Sequence, residues 1–291
     1  MRRLWLSVLI LSFLLLSCSP RSAEDLAAKL RSDCAFAIRL DDGTEEFFGF
    51  DPDRVVDPAS IGKLATAMAA LELMDPDEWI TPGDEVYLPP SGASSAFIRP
   101  HHTLTLSMLI EAMMIPSGDD AAFAVAAAAG RRLPGHEEDE YPEAVAAFVG
   151  YMNEWAEQIG CSGTRFTVPD GYAGEENHST LGDMAKIAGR AAEEPLILRY
   201  AAMEKDEVVY ASGHTNTWIN TNKQLDKDSR WYDRRVRGLK TGSLAGKYSL
   251  VTLAETEDGT WLIGVFGAKN DAGRYRDTAR ILRWIETREE G

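Results

Sequence analysis

Two β-rich runs near one end of the chain constrain its fold most. "YSLVTLAET" (248–256) and "WLIGVFGA" (261–268) flank the turn "EDGT", which predicts a hairpin. A matching signal stands at the other end, where "CAFAIRL" (34–40) and "EEFFGF" (45–50) surround "DDGT". Strands at both ends with a helical middle have a simple solution. The terminal strands come together in one antiparallel sheet, terminal helices cover it, and the middle forms a second lobe. The class expected is therefore α/β (α+β): an antiparallel sheet flanked by helices, plus a helical lobe. A site then falls in the groove between the lobes.

The middle reads as helices and loops. A helical pattern runs from Ala59 to about Met74, and "TPGDEVYLPPSGASS" (81–95) is loop. "TLSMLIEAMMI" (105–115) predicts a helix with Thr105 as its cap. "DDAAFAVAAAAGRRL" (119–133) predicts a buried helix ended by Gly130. "PGHEEDEYPE" (134–143) predicts an exposed acidic loop, and "AVAAFVGYMNEWAEQIG" (144–160) another helix. "GRYRDTARILRWIETREE" (273–290) predicts an amphipathic final helix. No internal repeat is present.

The chain has 291 residues, 45% of them apolar, enough for a large buried core. Its formal charge of −16 argues against a nucleic-acid partner, which needs a basic patch. The opening "MRRLWLSVLILSFLLLSC" places two arginines before an apolar run of signal-peptide length. "LLSC" looks like a bacterial lipoprotein box, which implies cleavage before Cys18 and lipidation of that cysteine. The alternatives are an ordinary secretory signal and an uncleaved anchor. Loss of residues 1–17 removes Arg2 and Arg3 and takes the charge to −18. Residues 18–31 then read as a tether holding a first helix, and 32–291 as the catalytic domain. Ser19 is not the aspartate that some bacteria use for inner-membrane retention. The expected location is extracytoplasmic, anchored through an N-terminal lipid. Cys34 and Cys161 are expected as buried free thiols. No cysteine or histidine spacing calls for zinc, and no cofactor is expected.

The chemistry concentrates in three short motifs. In "DPASIGKLATA" (57–67), Ser60 stands three residues before Lys63. That spacing puts both side chains on one helix face, so a lysine amine can take the serine proton. The bland alternative makes Ser60 a helix cap and Lys63 a solvated side chain. "PSGDDAA" puts Ser117 and Asp119 in a loop entering a helix, and "GLKTGSLAG" puts Lys240, Thr241 and Gly242 just ahead of a strand. Each is weak alone; the three in this order are not.

With these motifs the chain resembles the serine D-alanyl-D-alanine carboxypeptidases, the low-molecular-mass penicillin-binding proteins. They carry S-x-x-K, S-x-N and K-T-G in that order. The likeness extends over about 32–288, including "FVGYMNEWAEQIGCSGTRFTVPDG", "HST" (178–180), "NTNKQL" (220–225) and "LIGVFGAKNDAGRYRDTARIL". It implies the penicillin-binding and serine β-lactamase fold. It also implies roles: Ser60 as acylated nucleophile, Lys63 as its base, and Ser117 as proton relay to the leaving group. Lys240 supplies positive charge and Thr241 binds the substrate carboxylate. The backbone N–H groups of Ser60 and Ser243 form the oxyanion hole. Arg274 is a second carboxylate ligand or a helix-capping surface salt bridge, and His178 is structural.

The implied activity is removal of the terminal D-alanine from peptidoglycan stem peptides, with acylation by β-lactams. DD-endopeptidase action on cross-links is the runner-up, and a catalytically weak penicillin-binding lipoprotein a further reading. A β-lactamase is disfavoured, because no E-x-x-x-N block follows the second motif. Two departures stand out. Asp119 replaces the family's Asn, which donates as well as accepts. An ionised carboxylate there favours the ammonium form of Lys63 and should slow acylation. The chain also stops at Gly291, after the final helix, where many members continue into a β-rich domain and a membrane-binding helix.

Overall fold

The computed structural model describes residues 22–41, 44–46, 50–174 and 176–287. The expected signal segment and Cys18 lie outside them. A five-stranded antiparallel sheet forms in the order β2-β1-β11-β10-β9. Its strands are β1 (Cys34–Arg39), β2 (Thr44–Glu46), β9 (Val236–Leu244), β10 (Lys247–Thr256) and β11 (Gly259–Ala268). The first and last strands of the chain pair directly, with Ala35 opposite Val265 and Ala37 opposite Ile263. The C-terminal hairpin signal holds, β1 pairs with β2 at Thr44–Glu46, and residues 42–43 and 47–49 of the N-terminal signal lie outside the described residues.

Alternation along these strands sorts the core. Ala35, Ala37, Trp261, Ile263 and Val265 face one cluster with Ile281, Leu282 and Ile285 of α8 (Asp271–Thr287). Phe36, Ile38, Leu262 and Phe266 face the larger cluster of the helical lobe. This is the period-two pattern of a sheet covered on both faces. The segment expected as a tether enters the fold early. Leu26 of α1 (Ala23–Ala27) is fully buried. Asp277 of α8 accepts from the amides of Arg31 and Ser32 at 2.8 and 2.9 Å, which ties the chain's start to its last helix.

The lobe comprises α2 (Lys63–Leu73), α3 (Leu106–Met114), α4 (Asp119–Gly130), α5 (Tyr141–Gln158), α6 (Leu181–Ala191) and α7 (Pro195–Ala201). Thr105 caps α3, accepting from the Met108 amide at 3.2 Å. Helix α5 starts three residues before the position expected from sequence. Pro142 in its first turn needs no N–H partner there, so proline opens the helix instead of ending the loop. Short pairs stitch the lobe: β3 (Val55–Val56) with β6 (Ser179–Thr180), and β4 (Trp79–Ile80) with β5 (Leu104–Thr105). A separate hairpin, β7 (Lys205–Val209) with β8 (Thr215–Ile219), had no sequence expectation. Its signals are the alternating "TNTWI" and Gly213 at φ +79°.

Cys34 and Cys161 are both free and buried, and burial pushes each thiol up to about 12. They are packing residues in their protonated form. Glu111 of α3 is a different matter. Burial, then the Asp206 carboxyl beside it, push its carboxyl up from 4.5 to about 8. The folded protein thus holds a proton there that the unfolded chain releases above pH 4.5. Stability from this group is complete below pH 4.5 and is lost as pH rises toward 8. Glu111→Gln removes the titration. The variant should be more stable than wild type at pH 8.5 by about 1–2 kcal/mol, with the gap closing near pH 4. Urea unfolding at the two pH values checks this; parallel pH dependences would refute it.

Candidate active site

The chain before Lys63 does not form the α-helix expected from Ala59 onward. Residues Ala59–Gly62 make a 3₁₀ turn that leads into α2 at Lys63. Ser60 caps nothing: the caps of the two elements are Pro58 and Gly62, and neither makes a side-chain cap bond. The i to i+3 spacing still serves, because side chains three apart eclipse on a 3₁₀ turn. Lys63 Nζ donates to Ser60 Oγ at 2.8 Å.

Lys63 is fully buried, and acceptors meet its ammonium on three sides. Besides Ser60 Oγ, they are the main-chain oxygen of Asp170 at 2.9 Å and the Asp119 carboxylate, in direct ion pair. The second carboxylate oxygen of Asp119 accepts from the Ser94 amide at 2.7 Å. Asp170 had no expected role. It sits in "TVPDG", where Gly171 at φ +79° lets the loop close on the nucleophile turn. A Cβ at Gly171 would lie 1.9 Å from the Ala59 oxygen, so no other residue fits. The preceding Pro169 oxygen accepts from Thr66 Oγ1 at 2.5 Å, one turn along α2 from Lys63. The Asp170 carboxyl is buried, and desolvation raises its pKa against the pull of Lys63.

A second lysine–serine pair stands beside the first. Lys240 Nζ donates to Ser117 Oγ at 2.6 Å, and both side chains are buried. Ser117 adopts φ +65°, a strained value for a non-glycine residue, on the loop that enters α4. Burial, then the Lys63 charge, hold Lys240 well below the ordinary lysine range. Lys240, Thr241 and Gly242 stand ahead of β10, the strand expected, and themselves lie within a further strand, β9, at the sheet edge. The polar run "LKTGS" hides a strand because its buried positions carry functional groups in place of apolar ones. Gly242 lies against the nucleophile turn: a Cβ there would lie 3.2 Å from Ile61 and 3.3 Å from Ala59.

Thr241 Oγ1 shares a hydrogen bond of 2.6 Å with Thr221 Oγ1. Thr221 belongs to the quoted "NTNKQL" block but carried no expected role. Ser243 is exposed at the end of this run. Arg274 is neither a surface salt bridge nor free in the cleft. It is buried, pairs with Asp271 at 2.5 Å, and donates to the main-chain oxygens of Gly242 and Ser249 at 3.1 Å each. A longer contact reaches Ser243 Oγ at 3.4 Å. Its guanidinium therefore grips the strand segment that carries Thr241 and Ser243. His178 forms an isolated backbone bridge with Arg165.

The arrangement is that of a serine acyl-transfer centre: a hydroxyl on a lysine amine, a second serine on a second lysine, and an edge strand alongside. Comparison with known proteins points the same way. A family profile described as D-alanyl-D-alanine carboxypeptidase matches residues 33–270. D-alanyl-D-alanine carboxypeptidase DacC of Escherichia coli is 27% identical over 243 residues, covering 80% of this chain and 56% of its own. DacF of Bacillus subtilis is 27% identical over 295 residues, covering 97% of this chain and 70% of its own. The chain thus spans 56% and 70% of these relatives' lengths. The crystal structure of the Streptomyces K15 DD-transpeptidase superposes with a TM-score of 0.77 at 26% identity, covering 88% of this chain and 97% of that one.

Proposed function

The chain belongs to the D-alanyl-D-alanine carboxypeptidase family, and from that membership we propose that it removes the terminal D-alanine of peptidoglycan stem peptides. One observation carries the reading: Ser60 on Lys63 and Ser117 on Lys240 form two hydrogen-bonded pairs in one constellation.

Ser60 Oγ attacks the carbonyl carbon of the penultimate D-alanine, and Lys63, as the neutral amine, takes its proton. The oxyanion settles on the backbone N–H groups of Ser60 and Ser243, each worth about 3 kcal/mol in such holes. Ser117 accepts from Lys240, which leaves its hydroxyl free to act as a relay: it gives its proton to the departing D-alanine nitrogen and takes back the one that Lys63 removed from Ser60. Thr241, fixed by Thr221, takes the terminal carboxylate. Arg274 holds the strand that presents Thr241 and Ser243. Water then hydrolyses the Ser60 ester. Penicillins acylate the same serine.

The test pairs two assays on one protein sample: labelling by a fluorescent penicillin and D-alanine release from a stem pentapeptide. Both are expected. Labelling without release, together with cleavage of a cross-linked dimer, would make the enzyme an endopeptidase; labelling alone would make it a binding lipoprotein.

We also propose an extracytoplasmic location with the lipid on Cys18. The support is the "LLSC" ending of a short apolar run. Among the described residues no helix is long and apolar enough to cross a membrane. Intact mass of membrane-extracted protein should show a diacylglyceryl addition at an N-terminal Cys18, and Cys18→Ala should abolish it. A mature protein without acyl mass would refute the anchor.

A further inference from the structure

Phe97 is held where neither folding nor solubility would put it. Its ring is 62% exposed, while its neighbours Ala96 and Ile98 are 0% and 1% exposed. Its φ is +60°, a genuine outlier for a bulky side chain. A lone exposed apolar residue is ordinary. One in a strained conformation, on a loop fastened this tightly, is not.

The fastening is extensive. The Asp120 carboxylate accepts from Ser95 Oγ at 2.6 Å and from the amides of Ala96 and Ile98 at 2.9 and 3.0 Å. The Ala96 oxygen accepts from Asn216 Nδ2 at 2.7 Å and Trp218 Nε1 at 3.0 Å, both on β8. Ser94 and Asp119 bond each other twice, through the Ser94 amide to the Asp119 carboxylate and the Asp119 amide to the Ser94 oxygen. The loop is thereby clamped to the residue that pairs with Lys63. Strain that the surroundings enforce marks a functional position.

We infer that Phe97 is a specificity-determining residue whose ring packs on the apolar part of the acyl half of the substrate. This rests on the functional reading above. The carboxylate end of the substrate is assigned to Thr241 on β9. The Phe97 loop is clamped to α4 instead, beside Asp119, so the ring meets the part of the ligand that stays on Ser60. For a stem peptide that part is the aliphatic side chain preceding the D-alanines. For a penicillin it is the acylamino substituent.

Two β-lactams separate the ring's contribution from the rest of the site: benzylpenicillin, with an aryl substituent, and 6-aminopenicillanic acid, with none. The variant is Phe97→Asn, because Asn tolerates positive φ and preserves the loop. Its acylation efficiency with benzylpenicillin should fall about tenfold, while that with 6-aminopenicillanic acid changes by less than about twofold. Phe97→Tyr should restore the wild-type ratio. Equal losses with both compounds would mean that the loop merely supports Asp119, and unchanged values with both would mean that the ring touches nothing; either overturns the inference. A wild type acylated by neither compound would overturn the functional reading itself, and this inference with it.

Discussion

Ser60→Ala leaves no covalent penicillin adduct in an intact-mass spectrum, and acylation falls by more than about 10³-fold. The variant should fold as wild type does. Ser60 makes no cap bond, and its known side-chain contact is the one received from Lys63. Lys63 keeps its other two acceptors, the Asp170 oxygen and the Asp119 carboxylate. The loss is therefore of the attacking atom alone. Unfolding midpoints of the two proteins provide the control, and an adduct of normal yield in the variant would remove Ser60 from the mechanism.

Asp119→Asn should accelerate acylation at pH 7 by about 3- to 10-fold. In the wild type both carboxylate oxygens accept, one from Lys63 and one from the Ser94 amide. In that buried ion pair Lys63 Nζ is drawn to the carboxylate as a donor, in competition with its task at the Ser60 hydroxyl. An Asn has one oxygen. If it stays on the Ser94 N–H, its amide N–H turns toward Lys63, which must then offer a lone pair. The substitution thus exchanges an acceptor that faces Lys63 for a donor. The Asn also gains a donor for a substrate carbonyl. An equal or slower acylation rate in the variant would show that Asp119 does not restrain Lys63.

The sheet was legible because its signals are local. "CAFAIRL", "YSLVTLAET" and "WLIGVFGA" alternate or run apolar beside D-G turns, and β1 pairs β11 as those signals required. The motifs were legible because each lies within a few consecutive residues. What closes them together was not. The Asp170 oxygen reaches Lys63 across 107 positions, and Lys240 reaches Ser117 across 123. A main-chain acceptor leaves no residue-type signature at all. Asp120 illustrates the same limit. Beside Asp119 in "SGDDAA" it looks equivalent, yet it bonds the loop of Ser95–Ile98, while Asp119 pairs with Lys63. The 3₁₀ turn at Ser60 was read as α-helix because the two share the i to i+3 neighbour and differ in little that composition records.

The most direct measurement uses a peptide and not a drug. The enzyme is mixed with N-acetylated L-Lys-D-Ala-D-Ala, quenched in acid during turnover, digested, and its peptides weighed. The peptide containing Ser60 should carry the substrate mass less one D-alanine, while free D-alanine accumulates with turnover. D-alanine release with the acyl group on another residue, or no release and no adduct from active-folded protein, would contradict a Ser60 acyl-enzyme.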